Sequence, residues 1–490
     1  MGIMKKLLIY TTSTFVLLST GCEKYLSTIP DQRASLTTPE SVSELLVNAY
    51  PHANYMPTCE AMSDNVSENT EIAPSLSNLT AYKWEPVEAT GIDWQINYWN
   101  ACYEAIAVAN QALETISQAN DPQAYAAQKG EALLARAYAH FMLVNLWCKP
   151  YNKTTSESDP GIPYVLEPEK VVMKRYERKT VAYVYEHIEK DLLEGLPLIN
   201  DASYKKPAFH FNKRAAYAFA TRFYLFKQDY EKTIQYAEFV FPNNSRLSYL
   251  RDWVAYASYT TSVRTRLYNS SSEKTNLLLV EEISSWSFNY GSTYRFSVLP
   301  QTMYSLTLKS YNNLVGTDLA YVTVNSNGSI YVSKFFANFI SPLNSNLGNY
   351  YLSLPLLTAD EVVFNEAEAY AMQDQYTEAL DLLNTILSKK IKSYNPATHN
   401  LTLQKVRSHY PGQDDRTAMV NAVLELKRIE FMHEGLRWFD ILRKGITVVH
   451  PVADMSITGN FNTVLGPDDP RRQIQLPPLT VLAGLEPNPR

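Results

Sequence analysis

The stretch EALLARAYAHFMLVNLWCKPY, from Glu131 to Tyr151, decides the fold class of this chain. It has no glycine, its only proline is its penultimate residue, and its alanine, leucine and methionine content favours helix. On a helical wheel its polar residues fall on two narrow lines, one formed by Glu131, Asn145 and Lys149 and the other by Arg136 and His140. A surface helix would show a single apolar stripe, so this helix is predicted to be covered on at least two sides.

A buried Arg136 would need a carboxylate partner from another part of the chain. The closing helical stretch of the sequence is rich in charged residues, namely Arg428, Glu430, Glu434, Arg437 and Asp440. Paired carboxylates can serve as a catalytic acid and base, but structural ion pairing is the preferred interpretation here. We predict that Arg136 pairs with one of these carboxylates or with Glu368.

Length, composition and charge exclude several classes of protein. The chain has 490 residues, 46% of them hydrophobic, and a formal charge of -6. Length alone predicts two to four domains, or one large helical array. The mild acidity gives no basic footprint for nucleic acid. The sequence contains no dinucleotide-binding glycine pattern, P-loop, nucleophile elbow or zinc-protease motif, so no catalytic residue, metal ligand or cofactor is predicted.

The first residues have the pattern of an export signal. Lys5 and Lys6 precede an apolar run over 7–18, which is too short to span a membrane. The run leads to Ser19-Thr20-Gly21-Cys22, and a small residue before a cysteine suits lipoprotein processing, although a strict lipobox prefers leucine at the position of Ser19. We predict a signal peptide over 1–21, acylation of Cys22 with palmitate as the expected chain, and a single domain over 22–490. Ordinary secretion is the alternative.

Two later segments resemble each other and indicate a repeat. When Tyr230 is placed on Tyr376, Tyr224 falls on Tyr370, and both segments read as helix, short Gln/Asp turn, aromatic residue, helix. This is tetratricopeptide spacing without its usual glycines. The sequence therefore predicts a mostly α protein, with about four helix pairs as a scaffold. The cysteines Cys102 and Cys148 lie in apolar helical patterns and are predicted to be buried free thiols.

Two regions near 51–95 and 242–355 lose helical periodicity and are predicted to be long, irregular insertions with minor β structure. Short alternating runs over 321–324 and 329–332 favour strands. Long loops on a rigid scaffold commonly carry function.

These two regions supply exposed aromatic faces and polar groups, the chemistry that sugars require. The candidate ligand-binding residues are Asp64, Asn65, Trp84, Trp94, Trp286, Asn289, Tyr290, Tyr294 and Arg295. For each aromatic residue the alternative is packing of its loop on the scaffold. Trp99 and Trp147 lie on helical patterns and are predicted to be core residues.

In order along the whole mature chain, the sequence resembles the SusD/RagB family of Bacteroidetes outer-membrane lipoproteins. The matching stretches are CEKYLSTIP (Cys22–Pro30), Trp99–Asn110, Glu131–Tyr151, Gly161–Tyr164, Asn212–Ala216, Ala367–Ala369, Leu383–Asn384 and Lys427–Arg443. Cys148 and Lys149 depart from the family pattern, because a glycine-containing turn is common at this position.

The resemblance implies a cell-surface lipoprotein, anchored in the outer membrane, that binds nutrients and is not an enzyme. Such proteins cap a SusC-like TonB-dependent transporter and deliver oligosaccharides or, in some members, peptides to it. A surface hydrolase on a helical scaffold is the main alternative from another class, and a lid or docking platform without a small ligand is a third. The sequence does not decide between a glycan and a peptide.

Overall fold

A computed structural model describes residues 36–171, 174–341 and 347–490. The predicted signal peptide and Cys22 lie outside these ranges. The helices are α1 Pro39–Leu46, α2 Met56–Met62, α3 Leu76–Tyr82, α4 Gln95–Ser117, α5 Ala126–Trp147, α6 Val181–Gly195, α7 Lys213–Phe226, α8 Tyr230–Val240, α9 Trp253–Tyr256, α10 Thr261–Tyr268, α11 Trp286–Ser292, α12 Pro300–Thr307, α13 Ala359–Met372, α14 Tyr376–Leu387, α15 Pro396–His399, α16 Leu403–His409, α17 Asp415–Glu430, α18 Leu436–Lys444 and α19 Met455–Thr458. The strands are β1 Ser67–Glu68, β2 Asn276–Ile283, β3 Phe296–Ser297, β4 Thr323–Ser326, β5 Ser329–Val332, β6 Ala337–Ile340, β7 Asn349–Thr358, β8 Val448–Val449 and β9 Val464–Leu465.

The fold is a mostly α, tetratricopeptide-like scaffold, as predicted. Helix α5 packs between α4 and α6, α7 packs on α8, and α13 contacts α8, α14 and α17. Every residue of α5 from Gly130 to Trp147 is buried, which confirms that this helix is covered on more than one side. Trp99 and Trp147 meet edge to face in the core, 5.1 Å apart. Cys102 and Cys148 are buried free thiols, as predicted.

The two predicted repeats are confirmed down to their turns. Gln228 and Asp374 occupy equivalent positions after α7 and α13, and both have a left-handed backbone, with φ of 60° and 61°. The next amide in each repeat donates to the aligned tyrosine carbonyl, at 2.9 Å on Tyr224 and 3.0 Å on Tyr370. This is the Schellman helix ending, in which glycine is the usual left-handed residue. Both repeats therefore form the same turn without the glycine.

The partner predicted for Arg136 was wrong, although its burial was right. Arg136 is 6% exposed, and its Nε and Nη2 each donate to Asp191 at 2.7 Å. Its Nη1 donates to Asn110 at 2.8 Å. Asp191 lies on the neighbouring helix α6, whereas Glu368 is paired with Arg443. Arg136 on α5 thus links α4, through Asn110, to α6, through Asp191.

The charged residues of the closing helices form ion pairs, as predicted. Glu430 lies 2.7 Å from Lys390, Glu434 lies 2.6 Å from Lys334, and Asp440 lies 3.2 Å from Lys427. All six of these side chains are buried. Each carboxylate has a cation beside it, so the set is structural ion pairing inside the scaffold.

The two irregular regions are more ordered than predicted. The first contains α2 and α3, and every residue of α2 is buried, so no one-sided periodicity marks it in the sequence. The second contains the three-stranded sheet β2-β7-β6. The strand predicted over 329–332 is β5, and the one predicted over 321–324 overlaps β4, which begins two residues later; β4 and β5 form a hairpin. Among the described helices, none is both long and apolar enough to cross a membrane.

The buried Arg136–Asp191 pair generates a stability prediction. Replacing Arg136 by alanine leaves the Asp191 carboxylate buried without its cation, which we expect to lower the free energy of unfolding by about 3–5 kcal/mol. Urea denaturation measures this change. Arg407→Ala is the matched control, because Arg407 makes the same kind of two-point contact with Asp415 at the surface. The control should match the wild type within error, and equal losses in the two variants would contradict the burial argument.

Candidate ligand-binding site

The structure brings the two predicted ligand-presenting segments together. Strand β1 pairs antiparallel with β3, so that Ser67 faces Ser297 and Glu68 faces Phe296. The Asn69 amide donates to the carbonyl of Arg295 at 2.8 Å. The sequence predicted ligand-binding residues in each of the two segments, and their backbones meet at β1 and β3.

Arg295 holds this junction together and is buried within it. It is 4% exposed, and its Nε donates to Glu68 at 2.9 Å. Its other nitrogens donate to the Ile72 carbonyl at 2.9 Å and to Asp454 at 3.3 Å. In this arrangement Arg295 positions the loops and does not point into solvent.

Three of the predicted aromatic residues are packed inside the molecule. Trp84 is 2% exposed, stacks on His450 at 4.3 Å and donates to the Met62 carbonyl at 2.9 Å. Trp286 and Tyr290 are buried in the same way. None of the three presents an accessible face in this structure, which matches the packing alternative.

Asp64 and Asn65 are held by the closing helices. Arg437 donates to both Asp64 oxygens, at 2.9 and 2.8 Å, and Arg428 donates to Asn65 Oδ1 at 2.7 Å. Burial alone would raise the pKa of Asp64, but Arg428 and Arg437 lower it to about 2. Trp94, Asn289 and Tyr294 are partly exposed. Asp64 is partly exposed as well, and the other five of the nine predicted residues are buried.

Helix α11 shows how the sequence turns one aromatic side chain outward. Trp286 Nε1 donates to the His433 carbonyl at 2.9 Å, and the Tyr290 hydroxyl accepts from the Lys334 amide at 3.2 Å. Residues four apart share one face of a helix, so both rings face the core. Phe288 lies halfway between them in sequence, on the other face, and is 49% exposed.

Phe288 is one of three exposed rings in contact. Its ring centroid lies 4.6 Å from that of Tyr350, with 71° between the ring planes, and Tyr350 lies 4.9 Å from Phe339 at 51°. Phe339 and Tyr350 are register partners on β6 and β7, so they share one face of the sheet. Phe339 is 49% exposed and Tyr350 44%. We call Phe288, Phe339 and Tyr350 the aromatic platform.

Sequence reasoning missed all three platform residues. The region around Phe339 and Tyr350 was assigned to an irregular insertion, in which no strand register could be predicted. One signal was visible, because the run from Phe335 to Ala359 has no charged residue and no histidine. Gly348 supports the platform from behind, since a Cβ there would lie 2.7 Å from the Phe339 ring.

Asp93 fixes the start of α11. Its carboxylate accepts from the Ser284 hydroxyl at 2.7 Å and from the Ser285 amide at 2.9 Å. Burial raises the pKa of Asp93 to about 6, against the lowering effect of these two hydrogen bonds. The segment before α4 thereby sets the position of the helix that presents Phe288.

A second concave surface lies on the other side of the sheet. It is a cleft of about 1140 Å³ between α1, the start of α5 and the turns around Tyr204. Its lining includes charges of both signs, among them Glu281 and Lys205. The buried Tyr204 ring already stacks on His210 at 4.4 Å, and its hydroxyl donates to the Ala127 carbonyl at 3.2 Å. The cleft is roomy, but this tyrosine has no free face for stacking.

Comparisons with known proteins agree with the resemblance seen in the sequence. Residues 24–225 match a family model described as starch-binding, associating with the outer membrane, and residues 229–461 match the model of the SusD family. Together the two models cover most of the chain. The chain therefore belongs to the SusD/RagB family.

Solved structures share this fold at low identity. A SusD superfamily protein from Bacteroides thetaiotaomicron VPI-5482 is 19% identical, with a TM-score of 0.66 over 92% of this chain and 100% of the other. A SusD-like carbohydrate binding protein from Bacteroides vulgatus ATCC 8482 is 17% identical, with a TM-score of 0.65 over 91% and 96%. A laminarin binding SusD-like protein is 16% identical, with a TM-score of 0.63 over 92% and 99%. No curated protein sequence gives a significant match.

The pKa of Asp93 gives a pH prediction. The folded value of about 6 lies above the unfolded value of about 4, so the folded chain binds this proton more tightly. The contribution to stability is full below about pH 4 and is lost as pH rises through about 6. When the pH falls from ~7 to ~5, protonation of Asp93 should raise the unfolding free energy of the wild type by about 1 kcal/mol. Asp93→Asn cannot titrate at this position and should lack this gain. Urea denaturation at both pH values measures it, and parallel pH dependences would show that Asp93 does not titrate in this way.

Proposed function

We propose that this protein is a cell-surface lipoprotein that captures oligosaccharides on the aromatic platform and delivers them to a SusC-like TonB-dependent transporter. In this proposal the chain is exported by residues 1–21, anchored in the outer membrane through an acylated Cys22, and folded as one domain over 22–490. The protein binds its ligand without chemical conversion.

The observation that carries the proposal is the platform itself. Phe288, Phe339 and Tyr350 are each about half exposed and meet in one continuous apolar surface. Monomeric proteins seldom leave clustered aromatic rings uncovered unless they bind something. The C–H faces of sugar rings stack on such surfaces, and nearby amides can bond sugar hydroxyls. Asn289, one residue from Phe288, is a partly exposed amide of this kind.

The family and the related structures support a sugar as the ligand. One family model is described as starch-binding, and two of the related structures are described as carbohydrate or laminarin binding proteins. Delivery to an outer-membrane transporter rests on family membership and on the export pattern of the first residues.

A peptide is the alternative ligand, and a binding experiment can distinguish it from an oligosaccharide. Peptide capture commonly uses a free strand edge or charged groups for the chain ends. Competition between a glycan mixture and a peptide mixture for the purified protein would therefore distinguish them. A hydrolase would release shorter products from a bound oligosaccharide, which chromatography of the reaction mixture detects.

Substitution on the platform tests the proposal directly. Phe288→Ala removes one stacking face and should weaken oligosaccharide binding about tenfold, the effect of losing roughly 1.4 kcal/mol. Tyr350→Ala should have a similar effect, because Tyr350 contacts both other rings. Isothermal titration calorimetry on the chain from Glu23 onward, which keeps every described residue, measures both values.

Phe239→Ala is the matched control. Phe239 is also 49% exposed and packs on two tyrosines, but it lies on scaffold helix α8. The control should bind within twofold of the wild type, and all variants should keep the wild-type melting temperature within a few degrees. Unchanged affinity in Phe288→Ala and Tyr350→Ala would remove the platform as the binding site.

A further inference from the structure

We propose that the aromatic platform selects uncharged glycans, built from neutral sugar units without uronic acid, sulfate or amino groups. This inference rests on the proposed function and narrows its ligand class. It follows from where the charged residues of the chain do and do not lie.

The platform elements α11, β6 and β7, and the strands β4 and β5 on which α11 packs, contain no charged residue. Helix α11 packs on β4 and β5, and β7 pairs with β6. The segments that hold these five elements carry no Asp, Glu, Lys, Arg or His over 283–294, 319–333 and 335–359. In a chain with 19% charged residues, such runs at one surface leave the platform rings among neutral neighbours.

Two of the charged residues that border or contact these segments are buried in ion pairs, whereas Asp318 and Arg266 are exposed. Lys334 is fully buried and contacts Glu434 at 2.6 Å, and Arg295 is buried against Glu68. Arg266 is held over the ring of Phe336, 3.8 Å from its centroid. Within the described ranges, no Lys or Arg lies over a platform ring.

The acidic residues of strand β2 are equally unavailable. Glu281 faces Ser353 in the register and Glu282 faces Leu352, so the two side chains leave on opposite faces of the sheet. Tyr350 shares the face of Leu352, so Glu281 lies on the far side, toward the cleft. Glu282 is 2% exposed, so it presents no accessible carboxylate on the platform side, and burial raises its pKa well above the ordinary range.

This distribution disfavours charged sugars. An anionic glycan is held best by Arg or Lys through charge-assisted, often two-point hydrogen bonds. Seating a carboxylate or sulfate against the platform would remove its hydration and offer it no cation in exchange. A cationic amino sugar would likewise find no carboxylate on α11, β4, β5, β6 or β7. A neutral sugar has no charged group to dehydrate. Its C–H face can stack on the rings, and its hydroxyls can bond to amides.

Matched oligosaccharide pairs test the inference. Gluco- against glucurono-oligosaccharides and galacto- against galacturono-oligosaccharides of equal length differ mainly in charge. We expect the binders to be neutral, and their anionic counterparts to bind at least tenfold more weakly. The Kd of the best binder should change less than twofold between about 50 and about 500 mM NaCl, because only charge interactions are screened by salt.

A pair of charge variants supplies a second measurement on the same ligand. Thr293 is exposed, and its hydroxyl donates to the Phe288 carbonyl at 3.3 Å, so a charge placed there lies beside the platform. Thr293→Lys and Thr293→Asp lose the same hydroxyl and gain opposite charges. For a neutral glycan their Kd values should agree within threefold.

The outcomes separate this inference from the proposed function. A best ligand that carries a carboxylate, sulfate or amino group, or a tenfold split between the two Thr293 variants, overturns the inference while glycan capture stands. If no glycan binds and a peptide does, both are overturned.

Discussion

Helix α13 is the constraint on which the rest of the structure depends, because it buries four carboxylates. Each is neutralised by a cation from a different place in the chain: Asp360 by Lys390, Glu361 by Arg222, Glu366 by Arg246 and Glu368 by Arg443. A buried charge without its partner costs about 3–5 kcal/mol, so each cation-bearing element must lie in one position relative to α13. Helices α7 and α18, and the segments that follow α8 and α14, are fixed in this way. Repeat helices that contact only their neighbours would be less constrained.

The same ionic chain extends from the scaffold to the ligand-presenting elements. Lys390 contacts both Asp360 on α13 and Glu430, the last residue of α17. Lys334 contacts Glu434, four residues beyond the end of α17. The backbone amide of Lys334 then donates to Tyr290 on α11. Because Tyr290 and its neighbour ring Trp286 are held inward, Phe288 is held outward. The scaffold thus supplies rigidity through buried charge, and the surface it presents is uncharged. This contrast between a charged interior and an uncharged aromatic platform runs against the usual distribution of charge in a globular protein.

The features that could be predicted from the sequence are those that depend on a local residue pattern. The covering of α5 and the register of the two repeats follow from periodicity along a single segment, and both are confirmed. The partner of Arg136 could not be read in this way, because Asp191 lies 55 positions away on a helix whose rotation was unknown. Helix α2 was missed for the opposite reason: it is buried on every side and has no polar face to mark it.

The proposed binding surface was the hardest part to predict, since it depends on strand register and helix rotation. Tyr350 and Tyr351 are adjacent in sequence, yet strand alternation puts them on opposite faces of the sheet, and a slip of one residue would exchange them. The two predicted segments meet at β1 and β3, and one of them contains Phe288. The predicted side chains were chosen by residue type, however, and residue type does not show whether an aromatic ring faces the core, as Trp286 does, or solvent, as Phe288 does.

The most direct test of this account is a crystal structure of the protein with its tightest-binding neutral oligosaccharide. The account predicts sugar rings lying against Phe288, Phe339 and Tyr350, with no movement of α13 or of the helices tied to it. Sugar found instead in the cleft lined by Tyr204 and Glu281, with the platform bare, would contradict it.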